Sequence, residues 1–192
     1  MNRMPPATRF FNPTPLDVAP SKLRVARRAK LPRLPDPADP LFEPLMQAYR
    51  QGMSLFAPQG AWKTLPADHV LALPDAFAGC REVTLAVVSA GAELDNAIQA
   101  ALSAGSTRDA WLLDAFGSEA VEAVADALDE LLRADRTDGT RRFSPGYGSL
   151  PVTENIRILA ELGVDFVSAH PASGMLLPQK SVVFLIGWNT LP

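Results

Sequence analysis

Only one of the 192 residues is cysteine, Cys80, so an internal disulfide is impossible and a cysteine-rich metal or iron–sulfur site is excluded. Histidine is almost as scarce: His69 and His170 lie far apart, and neither falls in a metal-ligand spacing. No apolar run approaches the ~18 residues that a membrane span requires. The opening residues Met1-Asn2-Arg3-Met4-Pro5-Pro6 lack the apolar stretch of a secretory signal, so a cytoplasmic protein is expected. Glycine patterns for nucleotides are missing too. Ser89-Ala90-Gly91 has no further glycines at dinucleotide-binding spacing, and there is no phosphate-binding loop. With 47% hydrophobic residues, the chain can still bury one good core.

Charge and proline are unevenly spread. Between Met1 and Leu34, eight basic residues (Arg3, Arg9, Lys22, Arg24, Arg27, Arg28, Lys30 and Arg33) face one acid, Asp17, for a formal +7. The remainder, with ten basic and twenty acidic residues, is −10. A basic arm on an acidic body fits an acidic protein partner better than nucleic acid, because no aromatics are interleaved for base stacking. The bland alternative is a solvated arm. Thirteen of the 18 prolines precede Asp75, which predicts a loop-rich early part wrapping a more regular body. The division expected is a basic, proline-rich, partly irregular arm over residues 1–40 and one domain over 41–192.

Periodicity supplies the elements. Asp39 and Pro40 suit a helix start, with Leu41, Leu45, Met46 and Tyr49 on one face, although Pro44 argues for a later start. Gln59 to Leu65 reads as a short strand, and Glu82 to Ser89 and Ser181 to Trp188 as strongly apolar ones. Ala92 to Ala104 is a helix with Leu94, Ile98, Ala101 and Leu102 inward, closed by Gly105. Ser106 caps a long helix whose predicted buried stripe is Trp111, Leu112, Ala115, Val121, Val124, Leu128 and Leu131. Gly117 interrupts it, at a cost of about 1 kcal/mol against alanine unless something must approach closely there. Pro151 to Leu162 forms a last helix, stopped by Gly163. This order predicts a single α+β domain with a modest sheet.

Conventional catalytic machinery is not visible, and no catalytic residue or metal ligand is assigned. Cys80 reads as a small hydrophobe and His170-Pro171 as an irregular connection. Glu119, Glu122, Asp126, Asp129 and Glu130 form the wet face of the long helix, with Glu122 set apart on the shoulder of the apolar stripe. The segment richest in binding chemistry is Arg142-Phe143-Ser144-Pro145-Gly146-Tyr147-Gly148. It combines a fixed cation, an aromatic face and backbone that a small polar ligand can approach closely. A plain tight turn between helices is the competing reading.

The stretch from Arg142 to Pro151 resembles the R-x-x-P-G-Y-x-x-x-P motif of the activation (reactivation) domain of cobalamin-dependent methionine synthase. Val83 to Gly91 resembles that family's strand and turn, and Leu113-Asp-Ala-Phe-Gly-Ser-Glu-Ala-Val-Glu122 its "L-D-A-x-G-S-x-A-x-E" helix. Ser173-Gly-Met-Leu-Leu-Pro-Gln-Lys-Ser-Val182 resembles "E-S-x-M-x-x-P-x-K-S-V". The chain is similar to small free-standing members of the family, with residues 41–192 as the activation-like domain.

The resemblance implies a small, largely antiparallel bent sheet flanked by helices. It also implies a reactivation protein that binds S-adenosylmethionine and supports reductive methylation of oxidised cob(II)alamin in trans. The cobalamin would be carried by the partner, a methionine synthase or other corrinoid protein, with flavodoxin or ferredoxin as electron donor and neither nucleic acid nor membrane involved. Arg142 would pair with the ligand carboxylate, while Ser144, Pro145 and Gly146 would offer backbone to adenine or ribose. Tyr147 would pack on the ligand, Glu122 would face the amino group or sulfonium, and Ser173 and Met175 would add contacts. The chain departs from the family at Pro171-Ala172, which replaces an acid before Ser173, and at Ser149, where an acid is usual. It also ends at Pro192, without the family's late ligand-contacting tyrosine. Two alternatives accompany this reading: a corrinoid-protein or flavodoxin docking protein that no longer binds S-adenosylmethionine, and an independent small-molecule methyltransferase.

Overall fold

Two eight-residue strands rich in β-branched and apolar residues, buried on both faces, carry the fold, and a third, more polar and half-buried strand of eight pairs beside them. The computed structural model describes residues 6–70, 73–136 and 138–189. In chain order the elements are β1 (Arg9–Phe11), α1 (Lys22–Arg28), α2 (Phe42–Leu55), β2 (Gln59–Pro66), β3 (Glu82–Ser89), α3 (Ala92–Ser103) and α4 (Thr107–Arg133). They are followed by α5 (Glu154–Leu162), β4 (Ser168–Ala169), β5 (Leu176–Leu177) and β6 (Ser181–Trp188). The main sheet runs β1-β2-β3-β6 with every neighbour antiparallel, and β4 and β5 form a separate two-stranded ribbon. This is the expected single α+β domain.

The pleat sends alternate residues to two cores. Ala86, Val88, Phe184, Ile186 and Trp188 face α1 to α4, while Val83, Leu85, Val87, Val183 and Leu185 face Leu150, Ile158, Leu159 and Leu162 around α5. Among the described residues, no helix is long and apolar enough to cross a membrane.

The early segment differs from the arm expected. β1 pairs with β2, and Val18, Val25, Ala26 and Ala29 are buried in the larger core. Residues 9–29 thus belong to the body, although the connections between their short elements are irregular. α2 begins at Phe42, after an Asp39 carboxylate that accepts the Leu41 N–H at 2.8 Å, so Pro44 falls in its first turn. Trp111 and Leu131 were expected inside, but are 39% and 47% exposed. At ~100° per residue Trp111 lies opposite the buried face of Leu112, Leu113 and Phe116, and Leu131 lies in the last turn of α4, beyond the buried Leu128. Leu102 is exposed as well, since at ~100° per residue it has drifted about 80° from Leu94, while Ala101 stays on the stripe and packs against the core.

Candidate functional site

Beyond α4 the chain returns along β6 as an extended edge. The Thr140 N–H donates to the Gly187 carbonyl at 2.8 Å, and Phe143 and Leu185 exchange both backbone hydrogen bonds at 3.0 and 2.8 Å. Alternation then fixes two side chains on opposite faces. Phe143 packs edge-on to Phe77, with ring centres 6.2 Å apart, on the α5 side. Arg142 turns to the α4 side, its guanidinium carbon 5.4 Å from the centre of the Phe184 ring.

A tight turn follows. The Tyr147 N–H reaches the Ser144 carbonyl at 3.3 Å, and the Gly146 N–H reaches the Leu150 carbonyl at 2.8 Å. Gly146 has φ +96°, a conformation that other residues rarely adopt. Pro145 and Leu150 point inward, whereas Tyr147 is 69% exposed.

Opposite Arg142, α4 presents Glu119, Glu122 and Asp126, spaced i, i+3 and i+7 along one face. Arg142 Nη2 donates to Asp126 Oδ1 at 2.6 Å and lies 3.7 Å from Glu122 Oε2. The other Asp126 oxygen accepts from Arg24 Nη1 at 3.1 Å. Arg24 Nε continues to Glu119 Oε2 at 2.8 Å, and Arg28 Nε grips Glu119 Oε1 at 2.7 Å. Three arginines and three carboxylates therefore form one ladder. The Asp126 hydrogen bond, more than the charge of Glu119, raises the Arg24 pKa above its already high ordinary value, with desolvation opposing. Next to Arg142 lies an open depression of about 430 Å³, lined by Asp129, Arg133, Gly139, Thr140 and Arg141.

Among the residues singled out from sequence, Arg142 and Glu122 meet on this ladder, and Ser144 to Tyr147 form the adjoining turn. Ser173 and Met175 are not in contact with that turn; they flank Gly174, which packs against Val152 and Thr153 ahead of α5. They lie in the β4–β5 turn, where the Met175 carbonyl accepts the His170 N–H at 2.8 Å and Asn155 Nδ2 donates to Gly174 O at 2.9 Å. His170 organises this turn, its Nδ1 receiving the N–H groups of Ala172 and Ser173 at 3.3 and 3.4 Å. Cys80 donates to Asn189 Oδ1 at 3.4 Å, and burial, with the Asp138 charge adding to it, pushes its thiol pKa up. That shift is the reverse of what nucleophilic activation needs.

Sequence reasoning missed Asp126, Arg24 and the burial of Glu119, which is 6% exposed rather than on a wet face. The acidic partner expected for the basic N-terminal segment includes the chain's own α4. The available signal was the matched spacing: Arg24 and Arg28 one turn apart on α1, and acids repeating along α4.

A second cluster joins three of the resembling segments. The Lys180 stem lies over Gly117, where an added Cβ would sit 3.0 Å from Lys180 Cγ. Lys180 Nζ donates to Asp114 Oδ1 at 2.6 Å and to Ser118 Oγ at 3.1 Å. Ser181 Oγ donates to Ser89 Oγ at 3.0 Å, which also accepts the Gly91 N–H at 3.1 Å. The close approach that Gly117 was expected to serve is therefore by Lys180.

No family model matches the chain, and no curated protein sequence matches it. Among solved structures, the crystal structure of the MetH reactivation domain bound to AdoHcy matches with a TM-score of 0.68 at 14% identity, over 97% of this chain and 81% of that one. At that identity the likeness is one of fold.

Proposed function

We propose that this protein binds S-adenosylmethionine at the Arg142–Tyr147 loop and serves in trans as a reactivation protein for a cobalamin-dependent methionine synthase or related corrinoid protein. The observation that carries the reading is the pairing of one arginine with two part-exposed carboxylates beside a glycine-proline turn. S-Adenosylmethionine has one carboxylate and two cationic centres, its ammonium and sulfonium. Arg142 with Glu122 and Asp126 is the inverse set, one positive and two negative charges, so the two are complementary. A guanidinium has five N–H donors, and the Asp126 contact engages only Nη2, leaving donors for a ligand carboxylate.

Tyr147 supplies an aromatic face for the sulfonium or adenine, and the Ser144–Gly146 backbone supplies polar groups. Ser173 and Met175, in the turn that packs on Val152 and Thr153, would add further contacts. The fold likeness to the MetH domain supports the reading by analogy. The ligand supplies an activated methyl group, whose transfer to the partner's reduced cobalamin leaves S-adenosylhomocysteine. The protein's own share is positioning, which accounts for the lack of a general base. Flavodoxin or ferredoxin is the electron donor expected for such a partner.

Calorimetric titration with S-adenosylmethionine tests the site. Saturable binding is expected, with Arg142→Ala weakening it about 10- to 100-fold, the worth of a charge-assisted pair. Because the Arg142 ion pairs are partly solvated, the variant should lose less than about 1 kcal/mol of stability. Two observations favour the docking alternative: Asp126 already engages Arg142, and Ala172 stands where the family has an acid. Absence of wild-type binding at millimolar ligand would select that alternative.

A further inference from the structure

We propose that Arg24 is a positioning residue of this site, fixing Asp126 so that Arg142 can turn to the ligand without leaving a mobile carboxylate. The inference rests on the S-adenosylmethionine reading above. Asp126 is shared between two cations, Oδ1 with Arg142 at 2.6 Å and Oδ2 with Arg24 at 3.1 Å. A ligand carboxylate that binds the remaining Arg142 donors draws on the same cation and weakens its hold on Oδ1. Asp126 then keeps its place only through Arg24, with Oδ1 turned toward the ligand's ammonium or sulfonium.

Arg24 is suited to that task because it is fixed at a second point. Its Nε donates to Glu119 Oε2 at 2.8 Å, and Glu119 is nearly buried and held again by Arg28. α1 itself is anchored by Val25 and Ala26, which are buried against the core. A planar guanidinium can bridge Glu119 and Asp126, which lie seven residues apart on α4, while an ammonium is a single point. A segment expected to be a basic, partly irregular arm thereby becomes a wall of the site.

The experiment is a double-mutant cycle on S-adenosylmethionine affinity in the full chain, using Arg24→Gln, Asp126→Asn and the pair. If Arg24 acts through Asp126, Arg24→Gln weakens binding about tenfold, the size of one charge-assisted contact, and costs almost nothing further once Asp126→Asn is present. Arg24→Lys should restore less than half of the loss. Ile98→Ala serves as the control, since it opens the core under α3 without touching α1 or Asp126, and its affinity should stay at the wild-type value below its unfolding temperature. Unchanged affinity in Arg24→Gln, additive losses in the pair, or an equal loss in Ile98→Ala would each overturn the inference while leaving the ligand reading intact. Failure of the wild type to bind would overturn the ligand reading itself, and this inference with it.

Discussion

At Gly117, α4 is gripped by one lysine that leaves little room for a Cβ; farther along, the same helix meets Arg142 with two carboxylates. Both contacts are made by residues of the segments that resemble the activation domain, yet their physics differs. Lys180 is well covered, its stem fills a groove, and its charge has Asp114 and Ser118 as partners. Arg142 belongs to a chain of ion pairs whose members are up to half exposed and share partners. The first arrangement holds helix to sheet. The second can exchange one partner for another at low cost, which ligand binding requires. Resemblance in sequence does not separate the two, but burial and partner sharing do.

The sharpest way to test that division is to damage the gripping half. Phe116 is fully buried in the Leu113–Glu122 segment and meets Tyr49 and Phe56 edge-on, with ring centres 5.4 and 6.2 Å apart. Phe116→Ala should cost about 3–5 kcal/mol in urea unfolding, as large aromatic truncations in cores do. S-Adenosylmethionine affinity, measured where the variant is still folded, should change less than about threefold. A variant that keeps its stability but loses the ligand would reverse the assignment of the two halves.

That division was only partly legible in the sequence. The strands at 82–89 and 181–188 were readable because burial on both faces demands continuous β-branched and apolar residues, whereas 59–66 is mixed and half-buried. Gly163 was readable as a helix stop, and it adopts φ +63°. β1 was not readable, because three residues hold their conformation only by pairing with β2. α1 has seven residues and no side-chain cap, so packing on α4 rather than local propensity makes it helical. Glu119 read as a solvent-facing acid because its arginines lie 91 and 95 positions away. Arg142 and Glu122 stood out by residue chemistry and helix position, with motif resemblance added, but Asp126, which bridges Arg142 and Arg24, follows only from the three-dimensional ladder.

Lys180 sharpens the comparison at a smaller scale. Lys180→Ala strips methylenes from the Gly117 backbone and removes the Asp114 contact, and should cost about 1–2 kcal/mol. Lys180→Met keeps the apolar cover and loses only the charge, so it should cost less than about 1 kcal/mol, since Asp114 is exposed and rehydrates. Thermal unfolding of the pair separates cover from charge. Equal losses would mean that the ion pair, rather than the packing, holds this cluster.

Tyr49 stands between the two halves and gives the smallest of these effects. Its ring packs on Phe116, while its hydroxyl donates to the Pro20 carbonyl at 2.8 Å, just ahead of α1. Burial raises the phenol above its ordinary value of 10.0, because the phenolate is poorly solvated there. The unfolded chain therefore ionises first. Stability from the buried neutral phenol is complete below about pH 10 and is lost as pH rises through the higher folded value. Tyr49→Phe should cost about 0.5–1 kcal/mol at pH 7 through the lost hydrogen bond. Its stability should then fall less steeply than that of the wild type between pH 10 and 11, so the two urea-unfolding curves converge with rising pH. Parallel curves would mean that the phenol is not desolvated, and that the N-terminal segment leaves the ring open to water.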